Sequence, residues 1–226
     1  MPVHSRSTLA AMGVVLRAYV ETGVDMAGTG GVAAWSFDLS HWGRCGQGDT
    51  ERQAVADLAV RCGRPDARSV EVIERIHGDE QAFERDLEPP ARAEVEATMA
   101  VLDEVRPRTI ELVSAATESA LDRDDPARVL PGWASWRTPR QLAWHIADTE
   151  SRYYLPGLRL PGRARATHLV TELRESAEHV RSVLRGLSPE PLVVRDRDEV
   201  WTTVKLLRRL AWHERGELEV LTRLLS

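Results

Sequence analysis

Cysteine, lysine and long apolar segments are all scarce in this 226-residue chain. Its two cysteines, Cys45 and Cys62, make no CxxC motif, so reduced thiols in a cytosolic protein are the expected state. The first residues, MPVHSRSTLAAMGVVL, are too weakly apolar and too few for a membrane span, and they carry little charge for a signal peptide. The sequence therefore predicts a cytoplasmic protein.

Lysine occurs once, at Lys205, and the other basic residues are arginine, which indicates a composition bias rather than a function. With 30 Lys and Arg against 35 Asp and Glu, the net charge of −5 argues against general nucleic-acid binding. Arginines near the beginning of the chain, such as Arg61, Arg64 and Arg68, are scattered and form no basic helix or ribbon. We therefore expect no DNA binding.

The residue pattern changes near residue 77. Before it, alternating apolar residues predict strands in VVLRAYVET, GVAAWSFDL and SVEVIERI, with a short irregular strand around Cys45. Thr50 and Gln53 match a capping box and begin a helix, which Gly63 is expected to end. The predicted order is β-β-β-α-β, an α+β domain over residues 1–76.

The chain after this domain is predicted to be a linker and then helices. Residues 77–90, HGDEQAFERDLEPP, are polar and end in a double proline, which is typical of a linker. Pro107 is expected to kink or divide the first helix, and Thr138 with Gln141 caps the start of the second. Four amphipathic helices make an all-α four-helix bundle the simplest architecture for residues 91–226.

The last helix, predicted over Trp201–Leu225, carries two ionisable side chains on its apolar face. The apolar residues of that face are Leu206, Leu210, Val220 and Leu224. His213 and Glu217 fill the gap in this row at the same spacing. His145 lies on the apolar face of the second helix in the same way. Because a buried carboxylate or imidazole without partners is costly, these side chains need a ligand or a hydrogen-bond network.

Two imidazoles and a carboxylate form a ligand set that divalent transition metals accept while keeping positions for water. His213 and Glu217 are one turn apart, and His145 would complete the set from the second helix. A bound cation lowers the pKa of water or of a thiol, so the predicted chemistry is water or thiolate activation. Two alternatives stay open: His145 as a buried, hydrogen-bonded histidine, and His213 with Glu217 as an intrahelical hydrogen-bonded pair.

Two segments, SWRTPRQLAWHIADTESRYY and WTTVKLLRRLAWHERGELEVL, resemble the DinB/YfiT-like superfamily of metalloenzymes. The resemblance covers roughly residues 91–226. It implies a metal held by one histidine of the second helix and an HxxxH pair of the last helix. His145 matches the first ligand, His213 the second, and Glu217 stands where the third histidine is expected. The implied cofactor is a divalent transition metal (Zn, Ni, Fe or Mn), and Glu217 shifts the preference towards harder ions.

The segment FDLSHWGRCGQGDTERQAVADLAV resembles the HicB-type antitoxin domain, without that family's usual proline and its tight DLPGC spacing. The matching residues are Phe37, Asp38, Leu39, Cys45, Gln47, Gly48, Asp49, Thr50 and Ala54. The resemblance implies a HicB-like fold for residues 1–76 and leaves a protein or RNA partner open for this domain.

Two functions are compatible with these features. The first is a metal-dependent transferase or hydrolase acting on a small thiol or electrophile through His145, His213 and Glu217. The second is a non-catalytic interaction protein with a HicB-like partner-binding module and a degenerate metal site. The DinB-like resemblance and the seven tryptophans also predict a homodimer, and no membrane association is expected.

Overall fold

The computed structural model describes residues 15–25, 31–64, 69–132 and 134–226. The first part is α+β, with a four-stranded sheet and a helix packed on it. Its elements are β1 (Leu16–Thr22), β2 (Val32–Trp35), β3 (Cys45–Gly48), α1 (Glu51–Arg61) and β4 (Val70–His77), with a short 3-10 helix at Leu39–His41. The order along the chain matches the predicted β-β-β-α-β.

The sheet has the strand order β3-β2-β1-β4. Strand β1 pairs antiparallel with β2, with Tyr19 opposite Trp35, and parallel with β4. A parallel pair needs a long crossover connection, and α1 lies in the connection between β3 and β4. The helix covers one face of the sheet, where Leu16 and Val20 pack against Leu58.

Helix α1 approaches the sheet closely because Gly46 of β3 has no side chain. A Cβ atom at this position would lie 2.2 Å from backbone atoms of α1. At the start of the helix, Thr50 Oγ1 accepts a hydrogen bond from the backbone N–H of Gln53 at 3.3 Å. At its end, Gly63 has a φ of 68°, in the left-handed region that glycine adopts readily. The predicted N-cap at Thr50 and the end of the helix at Gly63 are confirmed. The second bond of a capping box is not formed, because the Gln53 side chain contacts the Thr50 hydroxyl rather than its backbone N–H.

The second part of the chain is mostly helical. Its helices are α2 (Arg92–Ala115), α3 (Glu118–Leu121), α4 (Pro139–Asp148), α5 (Leu155–Gly157), α6 (Leu169–Arg185) and α7 (Thr203–Leu225). A π-helical turn, Thr149–Tyr154, joins α4 to α5. Helix α2 packs against α6 and α7, and α4 packs against the same two helices. Among the described helices, none is long and apolar enough to cross a membrane.

The start of α4 is confirmed in detail. Thr138 Oγ1 accepts a hydrogen bond from the Gln141 N–H at 3.2 Å, and Gln141 Oε1 accepts one from the Thr138 N–H at 3.1 Å. Pro139 occupies the first helical position, where a missing N–H costs nothing. This capping box fixes where the helix begins and therefore which of its residues face α7.

Two expectations about helix limits need correction. The last helix begins at Thr203 rather than Trp201, because an antiparallel hairpin of β5 (Val193–Asp196) and β6 (Glu199–Thr202) precedes it. The threonine at the end of this hairpin caps α7 by accepting a hydrogen bond from the Lys205 N–H at 3.1 Å. Helix α2 continues through Pro107 and is not divided there.

The segment 77–90, predicted as a linker, is folded against the helical part. A short 3-10 helix spans Glu84–Leu87, and Phe83 and Asp86 are fully buried. The Phe83 N–H donates to Asp86 Oδ2 at 3.1 Å. The division into one domain before this segment and one after it stays a prediction, and any such domains would be firmly docked.

Three cations near the start of α7 lie buried against the α+β part. Lys205, Arg208 and Arg209 are each at most 1% exposed. Their carboxylate partners are Glu80, Asp86 and Glu21. A buried charge is tolerated when an opposite charge and hydrogen bonds compensate for its lost hydration. The two parts of the chain therefore meet through charge pairs as well as through apolar contacts.

Candidate metal centre

His145 of α4 and His213 and Glu217 of α7 converge between the two helices. The Nε2 atoms of the two histidines lie 3.3 Å apart, and Glu217 Oε1 lies 3.9 Å from each of them. One potential ligand atom from each residue lies within 4.8 Å of the others. These three residues, which the sequence pattern predicted as ligands, could hold a metal ion.

The triangle formed by the three ligand atoms has the dimensions of a transition-metal site. A point equidistant from its corners lies about 2.2 Å from each atom, at the upper end of the range for zinc bonds to histidine nitrogen and carboxylate oxygen. Three protein ligands leave positions on an ion for water or substrate, as in catalytic rather than structural zinc sites. The residues present therefore fit a divalent transition metal.

Each histidine ring has a second contact that orients it. His213 Nδ1 lies 3.3 Å from Glu150 Oε1, and His145 Nδ1 lies 3.1 Å from Thr149 Oγ1. Because a carboxylate accepts hydrogen bonds, Glu150 favours the proton of His213 on Nδ1 and leaves the Nε2 lone pair facing the site. On the other side, Trp136 stacks on His145 with ring centroids 3.5 Å apart.

A buried ion-pair network holds Glu150 in place. Arg106 of α2 donates a hydrogen bond to Glu150 Oε2 at 2.5 Å and forms an ion pair with Glu214 Oε1 at 2.6 Å. All three side chains are at most 1% exposed. The guanidinium contacts two carboxylates beside His213, so three helical segments together fix the position of this ligand. Burial raises the pKa of Glu214 to about 7, with the charge of Arg106 acting in the opposite direction.

Burial keeps both imidazoles neutral. It lowers the pKa of His145 to about 2 and the pKa of His213 to about 3, so their nitrogen lone pairs are available at neutral pH. Burial also raises the pKa of Glu217 to about 7, which the positive charge of Arg128 opposes. A metal cation among these side chains would favour the ionised form of the carboxyl group and so strengthen the ligand set.

The two structural alternatives for these residues differ in their support. The His213–Glu217 separation of 3.9 Å is longer than a hydrogen bond, so an intrahelical hydrogen-bonded pair is not formed. The 3.3 Å contact between His145 and His213 can be a hydrogen bond if one Nε2 carries a proton. That protonation state suits the metal-free protein, because a protonated Nε2 cannot bind an ion.

Sequence reasoning missed Glu150 and Glu214. Glu150 was expected to point away from the face of His145, since five residues along an α-helix turn a side chain by about 140° from its starting direction. The π-helical turn winds the chain more slowly and brings Glu150 back towards the core. Glu214 faces the neighbouring helix α2, where it lies buried at Arg106, and its place in this network had no signal in the sequence. The sequence TESRYY of the π-helical turn carries no signal that marks it.

The candidate site is supported by the geometry of this chain alone. No protein-family model, curated protein or solved structure matches it. The support consists of the separations between three ligand atoms, the carboxylate behind His213 and the neutral state of both imidazoles.

The ligand set opens into a cavity of about 420 Å³. The aromatic residues of its wall are Trp136, Tyr153, Tyr154 and Trp212, and its acidic residues besides Glu217 are Asp25, Asp79 and Glu80. This volume lies in the range of sites for small molecules. The aromatic residues belong to the helical part, Asp25 to the α+β part, and Asp79 and Glu80 to the connecting segment 77–90, so all three shape the cavity.

Proposed function

We propose that the protein is a metal-dependent enzyme, a transferase or hydrolase acting on a small thiol or electrophile. The observation that carries this proposal is the triangle of His145 Nε2, His213 Nε2 and Glu217 Oε1 at the wall of a small-molecule cavity. A divalent transition metal bound there would supply a Lewis acid that activates water or a thiol. Zn, Ni, Fe and Mn are all compatible with this ligand set, and the carboxylate favours the harder ions.

The protein's own groups have separate roles in this proposal. Glu150 and Thr149 orient the two imidazoles, and Arg106 holds Glu150 in position. Burial raises the pKa of Glu150, and the charge of Arg106 opposes this rise. Glu217 is 16% exposed and faces the cavity, so its carboxylate is accessible to ion and substrate. Trp136 covers one face of His145 and excludes water there. These groups bind, orient and desolvate, which are the protein's contributions at a catalytic metal site.

We also propose that residues 91–226 form a four-helix bundle of the DinB-like type and that residues 1–76 are a HicB-like module. The packing of α2 and α4 against α6 and α7 supports the first proposal. The β-β-β-α-β order, with Thr50 capping α1 after the Gly-Asp sequence, supports the second. The DinB-like type has a histidine where this chain has Glu217, which makes metal affinity the property to measure.

An interaction protein with a degenerate metal site is the second candidate. The observation in its favour is the His145–His213 contact, which is compatible with a direct hydrogen bond between two metal-free imidazoles. A homodimer and the absence of DNA binding remain predictions under both proposals. Light scattering that gives a monomer mass at tens of micromolar protein would contradict the first of these. A salt-sensitive shift of duplex DNA by the protein would contradict the second.

Metal content distinguishes the two candidates. Protein purified without a nickel column is dialysed against trace Zn, Ni, Fe and Mn, and its bound metal is measured for wild type, His213→Ala and Glu217→His. We expect near-stoichiometric metal in wild type. His213→Ala should lose its bound metal, because only two of the three protein ligands remain. Glu217→His should bind zinc or nickel more tightly, since imidazole suits both ions.

Matched substitutions elsewhere control for non-specific effects. His168→Ala removes an exposed histidine at the start of α6, and Glu219→His adds an imidazole at an exposed position of α7. Both should leave the metal content unchanged. If wild type, His213→Ala and Glu217→His all lack metal while remaining folded, the enzyme proposal fails and the interaction protein replaces it.

A further inference from the structure

Arg209 lines the same cavity as the candidate metal ligands. It precedes His213 by four residues on α7, and His213 precedes Glu217 by four, so the three side chains follow one face of the helix. Successive members are separated by about 6 Å along the helix axis. A small molecule that reaches the metal ligands with one end would therefore have its other end near Arg209.

The N–H groups of Arg209 are not fully used by the protein. Its Nη2 lies 3.3 Å from Glu80 Oε1 and 3.7 Å from Glu21 Oε2, and neither contact has hydrogen-bond geometry. Its Nε also lacks a hydrogen-bond acceptor among the described residues. The side chain is 1% exposed and lines the cavity, so an additional acceptor would approach it from the cavity side. Buried donors without acceptors are uncommon and point to a missing partner.

One oxygen of each neighbouring carboxylate contacts another donor, whereas Glu21 Oε1 has no hydrogen-bond partner among the described residues. Glu21 Oε2 accepts a hydrogen bond from Trp35 Nε1 at 3.0 Å, and Glu80 Oε2 lies 2.9 Å from Lys205 Nζ. Arg208 donates two hydrogen bonds to Asp86 from Nε and Nη2, and its Nη1 has no acceptor in the part of the chain that the structure describes. The cluster contains three cations and three carboxylates, so its net charge does not oppose an additional anion. Carboxylates balance the charge of Arg209, but its Nε and Nη2 donors have no acceptor within the described ranges.

Tyr154 adds a second donor to this wall. It lines the cavity, is 4% exposed, and packs its ring against His213 with centroids 5.6 Å apart. A tyrosine phenol carries its proton at physiological pH and can donate a hydrogen bond. A protonated phenol beside a guanidinium is a donor pair for an oxygen of a ligand.

We propose that Arg209 and Tyr154 form a carboxylate-binding subsite and that the protein's ligand is a small carboxylic acid whose second functional group reaches His145, His213 and Glu217. This inference rests on the proposed metal site. The competing reading is a cationic ligand, because Asp25 and Asp79 also line the cavity. The subsite is assigned to an anion because those two aspartates are exposed and solvated and the third acid, Glu80, is paired with Lys205 and Arg209. Arg209 still has N–H groups without an acceptor among the described residues.

Three probes of matched size test the charge of the ligand. The cobalt(II)-loaded full-length protein is titrated with 3-mercaptopropionate, 2-mercaptoethanol and cysteamine, and thiolate-to-cobalt absorption gives each affinity. We expect 3-mercaptopropionate to bind about 10-fold or more tightly than 2-mercaptoethanol, the ratio for one charge-assisted hydrogen bond. Equal affinities, or tightest binding by cysteamine, would overturn the carboxylate subsite.

Variants then test the residues. Tyr154→Phe and Arg209→Lys should each reduce the preference for 3-mercaptopropionate. Tyr153→Phe is the matched control, because the Tyr153 hydroxyl donates to Glu199 instead, and it should keep the preference. If Arg209→Lys does not fold, the charge-balanced Arg209→Gln/Glu21→Gln variant replaces it. A preference that survives in both Tyr154→Phe and the Arg209 variant would refute the assignment.

A metal-independent measurement separates this inference from the proposed function. Absence of a cobalt spectrum in wild type would refute the metal site alone. The melting temperature of metal-free protein is therefore also measured with propionate, 1-propanol and propylamine at equal ionic strength. Stabilisation specific to propionate that disappears in Tyr154→Phe would support the subsite, and equal effects of the three compounds would overturn it.

Discussion

Removal of the Asp86 carboxylate should lower the free energy of unfolding more than removal of a carboxylate from any exposed ion pair. Arg208 Nε and Nη2 donate to the two Asp86 oxygens at 2.9 and 2.7 Å, and both side chains are fully buried. In Asp86→Ala the guanidinium stays in the interior without this partner. Breaking a buried pair in this way costs roughly 3–5 kcal/mol. We expect the free energy of unfolding to fall by an amount in that range.

Urea unfolding followed by tryptophan fluorescence measures this loss. The Arg208 guanidinium carbon lies 4.5 Å from the Trp35 ring centroid, so this tryptophan reports on the interface directly. Arg208→Met should also destabilise, and the Asp86→Ala/Arg208→Met double variant should lose less than the sum, because it leaves no unpaired charge.

An exposed ion pair provides the control. Glu96 pairs with Arg92 at 2.7 Å on the solvent side of α2, where both side chains are more than half exposed. Glu96→Ala should change the free energy of unfolding by no more than about 0.5 kcal/mol. The argument from buried charge pairing is wrong if Asp86→Ala lowers the free energy of unfolding no more than Glu96→Ala does. It is also wrong if the loss in the double variant equals the sum of the losses in Asp86→Ala and Arg208→Met.

Three further results are expected. Glu150→Gln should weaken zinc binding by about 10- to 100-fold in equilibrium dialysis, because a neutral amide orients His213 less firmly than a carboxylate does. Unchanged zinc affinity would exclude a positioning role for Glu150. Cys45 and Cys62 should react slowly with a disulfide reagent in native protein, because both are buried and burial raises the pKa of each thiol; rapid reaction without denaturant would contradict this. Gly46→Ala should lower the free energy of unfolding in urea by about 1–3 kcal/mol, since its Cβ would lie 2.2 Å from α1 backbone atoms. Gly132→Ala should be neutral, because its Cβ would meet no atom of the described residues within 4 Å.

The features that sequence reasoning predicted correctly depend on neighbouring residues. The caps of α1 and α4 follow from side chains three positions apart, and Thr138 with Gln141 forms the expected reciprocal bonds. The convergence of His145, His213 and Glu217 followed from two apolar faces that each carried ionisable groups. Periodicity was sufficient here because each group lies on the buried stripe of its own helix.

The missed features depend on long-range partners or on irregular backbone. Arg208 and Asp86 are 122 positions apart, so no local pattern reveals that this arginine is buried. Glu150 reaches His213 because of a π-helical turn, which helical periodicity does not anticipate. The hairpin before α7 has a polar, arginine- and aspartate-rich sequence, for which the sequence pattern predicted no strands. In each case the tertiary contact, rather than the local sequence, determines the conformation.

The single lysine gives the chain a natural chemical reporter. Lys205 Nζ is fully buried, donates a hydrogen bond to Val200 O at 2.9 Å, and lies in the charge cluster between the α+β part and α7. An acylating reagent can reach this amine after the cluster opens, and no other lysine side chain competes for the reagent. The rate of acylation at this position therefore measures how often the two parts of the protein separate. Comparison with the rate of global unfolding would show whether that separation is a local event.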